Sequence, residues 1–252
     1  MQITVFQAAL IALFYYLAQS PWLMGMGYWT LYRPLIGGTV VGIILGNPAQ
    51  GAIIGATINL LYLGFISAGG SLPGDPALAG YVGTALAIGS GIDVNAALAL
   101  AVPIGLFGSL IWFGRMTLDA IFVHWADRYA EEGNTSGVAF ANIVPPQILL
   151  FVICFVPAFI ATLYGPSAVK GAIDFLGAKV FHILMVVGGM LPALGIAMNF
   201  RAIGRGQTLP FFFLGFLLFV YLKISVIGIA AFAVVFAFVY MQLHKGGVKS
   251  GA

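Results

Sequence analysis

The stretch PLIGGTVVGIILGNPAQGAIIGATINLLYLGFISAGGSLPGDPALAGYVGTALAI, residues 34–88, decides how this chain is read. It is apolar enough for a bilayer, yet Gly, Pro and small polar residues interrupt it repeatedly. Lipid offers no hydrogen-bond partner to exposed backbone, so interrupted segments persist only where protein shelters them or where they line a watery cavity. The stretch therefore reads as part of a transport path rather than an anchor.

Composition agrees. Of 252 residues, 62% are hydrophobic and 7% charged, with a mean hydropathy of +1.08. Soluble domains carry about a quarter charged residues, so the expected fold class is an all-α polytopic membrane protein, with broken or re-entrant short helices in its N-terminal half. The whole of 1–252 reads as a single integral membrane domain. The net charge of +3 does not suggest nucleic acid. The one cysteine, Cys154, lies in an apolar run and reads as buried and structural, since reactive thiols need polar, electropositive surroundings.

Spans follow from length, since about 20 apolar residues cross a bilayer. Ile3–Leu23 satisfies this; it lacks the positive start of a signal peptide and reads as a first membrane segment kept in the mature protein. Pro34–Gly46 and Gly51–Ile66 are each short, and they read as half-helices or a re-entrant hairpin turning at Asn47-Pro48. After the glycine-rich loop 67–76 and the Ala/Gly-rich 77–88 come spans expected at 95–113, 138–164 and 179–199. Residues 209–243 would make one tilted span or two short ones, with Lys223 near the middle, so that 138–243 holds the C-terminal spans. Residues 114–134 form an amphipathic connector, with Leu118, Ile121, Phe122, Trp125 and Tyr129 on one stripe. It reads as an interfacial helix or as a docking surface for a cytoplasmic partner. Arg33, Arg115, Arg128, Arg201, Arg205, Lys245 and Lys249 are taken as cytoplasmic markers, which places the N-terminus outside.

The glycines at 38, 42 and 46 and at 51 and 55 recur every fourth residue, a spacing that lets membrane helices approach closely. Between them stand neutral donor–acceptors such as Thr39, Asn47, Gln50, Thr57 and Asn59, which pair with hydroxyls without the desolvation penalty of a buried charge. Asn59 reads equally as an interhelical hydrogen-bonding residue or a sugar ligand. Asp75, in PGDP, is either a turn-forming surface carboxylate or a carboxylate at membrane depth binding hydroxyls bidentately; Asp93 reads as an N-cap or turn residue before the next helix. His124, His182 and His244 stand far apart, and no phosphate loop, catalytic motif or metal-ligand spacing is present. The chain is expected to be no enzyme and to bind neither cofactor nor metal.

With these residues in view, the chain resembles the IIC permease subunit of the mannose/fructose/sorbose family of the bacterial sugar phosphotransferase system. The resemblance rests on ITVFQAAL, RPLIGGTVVGIILGNPAQGAIIGATINLLYLGF, AGGSLPGDPALAG and MNFRAIGRGQTLPFFFLGFLL, in that order. It implies a multi-pass protein of the bacterial inner membrane that forms the sugar path with a IID membrane subunit. It also implies cytoplasmic IIA and IIB phosphocarriers, IIB phosphorylating the incoming sugar, a higher oligomer and an elevator-like movement. The implied sugar contacts are Gln7, Asn59, Ser67, Gly69, Gly70 and Asp75, with Asn47 and Pro48 at a hinge or the site edge. Two positions depart from the family: its GD turn is Gly46-Asn47 here, and Asn59 stands where an acidic residue is often found. An ion-gradient-driven sugar transporter is the second reading and a non-transporting assembly subunit the third; the broken segment argues against the latter.

Overall fold

The computed structural model describes residues 2–23, 27–62, 74–203 and 209–246, which are helical with no strand among them. Contacts divide the chain into two compact units, Met1–Asn199 and Phe200–Ala252.

The first unit opens with α1, Val5–Gln19. Thr4 and Gln7 start it as a capping box, each side chain meeting the other's backbone N–H and so satisfying donors that the first turn cannot. After short 3₁₀ and π-helical turns at Pro21–Leu23 and Gly27–Leu31 come α2, Pro34–Ile44, and α3, Pro48–Leu61. These two make the hairpin at Asn47-Pro48. Gly46 turns it at φ +79°, and the Asn47 side chain caps α3 by accepting from the Gln50 N–H at 3.2 Å. At roughly 17 and 21 Å by the 1.5 Å rise per residue, neither helix reaches across a hydrocarbon core of about 30 Å.

The repeated glycines are what let the hairpin close. A Cβ on Gly38 would stand 2.6 Å from Gly55 Cα and 2.7 Å from the Gly51 carbonyl oxygen, and one on Gly42 would stand 2.8 Å from Gly51 Cα. The pairs Gly38/Gly42 and Gly51/Gly55 thus interlock backbone to backbone. Gly46 belongs to the turn and not to this ridge.

Against the hairpin lies a helical rod made of α4, Pro76–Leu78, a π-helical turn at Ala79–Gly83, and α5, Thr84–Ser90. Every residue from Gly74 to Ser90 is buried. A helix apolar all round belongs inside a bundle, and small residues make room for the neighbours. Gly80 packs on Pro34, Gly37 on the Tyr81 ring, and Gly89 on Pro166. Residues 77–88, which composition shows only as an Ala/Gly-rich stretch, form the spine of the unit.

Gly91, at φ +67°, ends α5, and Asp93 caps α6, Val94–Glu131, by accepting from the Ala96 N–H at 2.8 Å. This N-cap agrees with the sequence reading. The span expected at 95–113 and the connector expected at 114–134 lie on this one helix. The shift from apolar to charged composition near Arg115 changes the helix's faces without breaking its backbone, because a lone Gly114 is no helix terminator. Arg115 therefore lies within a helix and not in a loop. Gly133, at φ +69°, stops α6, and the Asn134 side chain accepts from the Gly137 N–H at 2.9 Å as α7 begins.

The spans expected at 138–164 and 179–199 fall on α7, Thr135–Ile203, likewise without a break. Prolines at 145, 146, 157 and 166 each remove a ladder hydrogen bond but do not end it. In the second unit, α8, Leu209–Val220, and α9, Val226–Gly246, flank a turn where Lys223 takes φ 54°. Residues 209–243 therefore hold two short helices. Among the described residues, Val94–Glu131 and Thr135–Val169 are the stretches long and apolar enough to cross a membrane, with mean hydropathies of 2.1 and 2.4.

Candidate functional site

Asp75 sits at the centre of the first unit, 4% exposed, and its placement is determined from three sides. Its own helix holds one carboxylate oxygen: Pro76 follows at the first helical position, and Oδ1 caps the rod by accepting from the Leu78 N–H at 3.0 Å. From α1, Tyr15 Oη donates to Oδ2 at 2.7 Å and Gln19 Nε2 at 2.6 Å. Tyr15 and Gln19 are four residues apart and so share a helix face. From α6, the Gly105 carbonyl accepts the Asp75 backbone N–H at 2.8 Å. Gly108, one turn on, leaves room for the carboxylate: a Cβ there would collide with Asp75 Cβ and stand 3.1 Å from Cγ.

Tyr62, at the end of α3, completes the enclosure. It packs on Gly74 and Gly105 and donates to the Ala101 carbonyl at 3.5 Å. Asp75 is therefore not the surface turn carboxylate that the PGDP motif allowed: it caps a helix, but from a buried position. The hydrogen bonds to its side chain come from a phenol, a primary amide and a backbone amide. Among the described residues, none comes from a cation.

A crevice opens beside the carboxylate, lined by Gln19, Asp75, Ser109, Trp112, Arg115 and Cys154 among others. It encloses about 10 Å³, barely room for one water molecule, whereas small-molecule pockets run to roughly 300–1,000 Å³. In this conformation the site is closed. Arg115 pairs with Asp119 one turn along α6, Nε to Oδ2 at 3.2 Å, and its guanidinium lies 5.9 Å from the centre of the Trp112 ring. Cys154, on α7, is a buried free thiol. No cluster that could hold a metal ion occurs among the described residues.

The expected sugar contacts are not all gathered here. Gln7 lies at the far end of α1 from Tyr15 and Gln19. Its side-chain oxygen accepts from Thr4, and its Nε2 donates to the Ile44 carbonyl at 3.1 Å, so its amide ties α1 to the end of α2. Asn47 and Pro48 form the α2–α3 turn, with Asn47 Nδ2 donating to Gln50 Oε1 at 2.8 Å. Asn59 is half-buried on α3, and its side chain has no hydrogen-bond partner among the described residues. Ser67, Gly69 and Gly70 lie outside the described residues. The sequence reading did not pick out Tyr15, Gln19, Tyr62, Gly105, Gly108, Trp112 or Arg115. The spacing of Tyr15 and Gln19 on one face of an otherwise apolar helix was the available sign.

Comparison with known proteins places the chain among relatives. Residues 5–239 match the profile of the PTS system sorbose-specific IIC component. The chain is 32% identical over 213 residues to the PTS system sorbose-specific EIIC component of Lacticaseibacillus casei, covering 84% of this chain and 77% of that protein. Among solved structures it is similar to one described as a membrane protein, with a TM-score of 0.80 at 30% identity over 96% of this chain and 97% of the other. It is also similar to a chain in the cryo-EM structure of the mannose transporter ManYZ in complex with microcin E492, with a TM-score of 0.60 at 30% identity and the same coverage.

Proposed function

We infer the function from membership: the chain belongs to the sorbose-type IIC component family of the sugar phosphotransferase system, and is a membrane permease component rather than an enzyme. From there we propose that it spans the bacterial inner membrane several times and forms the sugar path together with a IID membrane subunit. Cytoplasmic IIA supplies the phosphoryl group to IIB, and IIB transfers it to the arriving sugar. The likeness to the mannose transporter ManYZ supports a paired membrane assembly.

One observation carries the site: Asp75 is a deeply buried carboxylate whose side-chain partners are neutral donors, and it borders a crevice. A buried carboxylate persists only when hydrogen-bonded, and here the Tyr15 hydroxyl and the Gln19 amide supply neutral donors, as sugar hydroxyls also would. A sugar offering two neighbouring hydroxyls can replace both without leaving the carboxylate unsatisfied. That exchange favours a polyhydroxylated ligand over a cation. Asn59, with its open amide, and Ser67, Gly69 and Gly70 complete the proposed set, with Asn47 and Pro48 as the hinge. Gln7 is assigned the helix-tying role its hydrogen bonds describe.

The test is vectorial phosphorylation. Vesicles containing this chain, its IID partner and phosphorylated IIB should accumulate sugar phosphate inside. Equal accumulation without this chain would overturn the reading. Uptake of free sugar driven by an ion gradient, with no phosphocarrier present, would favour a secondary transporter instead.

A further inference from the structure

Two charged residues of α6, Arg115 and Asp119, lie within the band of the helix that a bilayer would cover. Exposed apolar side chains run along this helix from Leu106 through Leu110, Phe113 and Ile121 to Trp125. At 1.5 Å per residue that band is about 29 Å tall, the height of a hydrocarbon core. Arg115 falls at its middle, turned away from the band, its side chain 20% exposed. Ion pairs at such depth are expensive and mark functional sites more often than scaffolding.

The spacing of Gly108, Trp112, Arg115 and Asp119 places them along one stripe of α6. The first three line the crevice beside Asp75. Asp119 holds Arg115 through Nε alone. The terminal guanidinium nitrogens have no hydrogen-bond partner among the described residues, and neither does the buried Trp112 Nε1. The crevice therefore has an acceptor on one wall, Asp75, and unspent donors on the other.

We propose that Trp112 and Arg115 are specificity-determining sugar ligands: they donate to ring and hydroxyl oxygens of a neutral monosaccharide whose other hydroxyls bind Asp75. Asp119 is a positioning residue that orients the guanidinium. The single positive charge of Arg115 is paired with Asp119 and shares the crevice lining with Asp75, which favours an uncharged sugar over an acidic one. This proposal rests on the reading of the crevice as the sugar site.

The experiment uses the chain reconstituted with its partner membrane subunit. Wild type, Trp112→Phe, Arg115→Lys, Arg115→Gln and Asp75→Asn are titrated with D-mannose, L-sorbose and the monodeoxy analogues of whichever sugar binds. A site built to donate to one oxygen rejects the analogue lacking it. Trp112→Phe and Arg115→Lys should each weaken binding of the parent sugar about tenfold, the worth of one good hydrogen bond. Each should leave one deoxy analogue unaffected, so that discrimination at that oxygen collapses. Binding within twofold of wild type, or a loss uniform across parent and all analogues, would overturn the proposal. If Asp75→Asn alone abolishes binding, the sugar site stands and the donor wall falls. If the wild type binds neither sugar, both fall.

Discussion

Replacing Gly108 by alanine tests whether the seat of Asp75 matters to transport. The added Cβ would collide with Asp75 Cβ and stand 3.1 Å from its carboxyl carbon, whereas carbon atoms rest about 3.5–4.0 Å apart. The α6 backbone is locked by its helix, so Asp75 must recede by roughly 1 Å or more. That movement lengthens the Asp75 N–H bond to the Gly105 carbonyl, now 2.8 Å, and displaces the carboxylate from its fitted places opposite Tyr15 and Gln19, now at 2.7 and 2.6 Å. A misplacement of about 1 Å can lower activity about 100-fold. The control is Gly114→Ala on the same helix, where a Cβ meets nothing within 4 Å. Both changes gain the same helix propensity, up to about 1 kcal/mol, so the difference between them isolates the collision. In vesicles with the partner subunits, Gly108→Ala should cut sugar-phosphate accumulation by one to two orders of magnitude while Gly114→Ala keeps the wild-type rate. Equal rates in the two variants, with equal amounts of assembled complex, would refute the argument.

Gly38→Ala should overpack the α2–α3 interlock at a cost of about 1–3 kcal/mol. The purified protein's Tm should then drop at about 2–4 °C per kcal/mol, whereas an unchanged Tm would mean the backbones are not in contact. Gln7→Ala should remove a capping box and a tie to Ile44 for about 1 kcal/mol of stability and leave sugar affinity within twofold; a loss beyond tenfold would make Gln7 a sugar ligand. Tyr15→Phe removes a buried hydrogen bond to a carboxylate, worth about 1.5–3 kcal/mol, and should lower Tm accordingly.

Much of the fold was legible because its cues are local. Pro after Asn47, Gly at the turn and glycines at four-residue spacing announce a tight hairpin, and Asp93 announces a helix start. Continuity was not legible. Nothing in the composition around Arg115 says whether a helix ends there, since apolar and charged segments can share one rod when the charges turn to one face. The burial of 74–90 was hidden for a related reason: an Ala/Gly-rich helix has the same composition in lipid as inside a bundle. At the site, Asp75 stood out as a carboxylate in an apolar run. Its partners could not be paired with it, because Tyr15 lies 60 residues before it and Gly105 is silent as a side chain. Gln7 shows the same limit, because a capping amide and a sugar-binding amide are the same group in a sequence.

The most direct measurement is equilibrium binding of radiolabelled sugar to the assembled membrane complex, comparing wild type with Asp75→Asn. The amide keeps the shape but has one acceptor oxygen in place of two, so it cannot accept from two sugar hydroxyls while also capping Leu78. Sugar binding should be lost while the complex stays assembled, as judged by co-purification of the partner subunit. Wild-type affinity in Asp75→Asn would contradict the account at its centre.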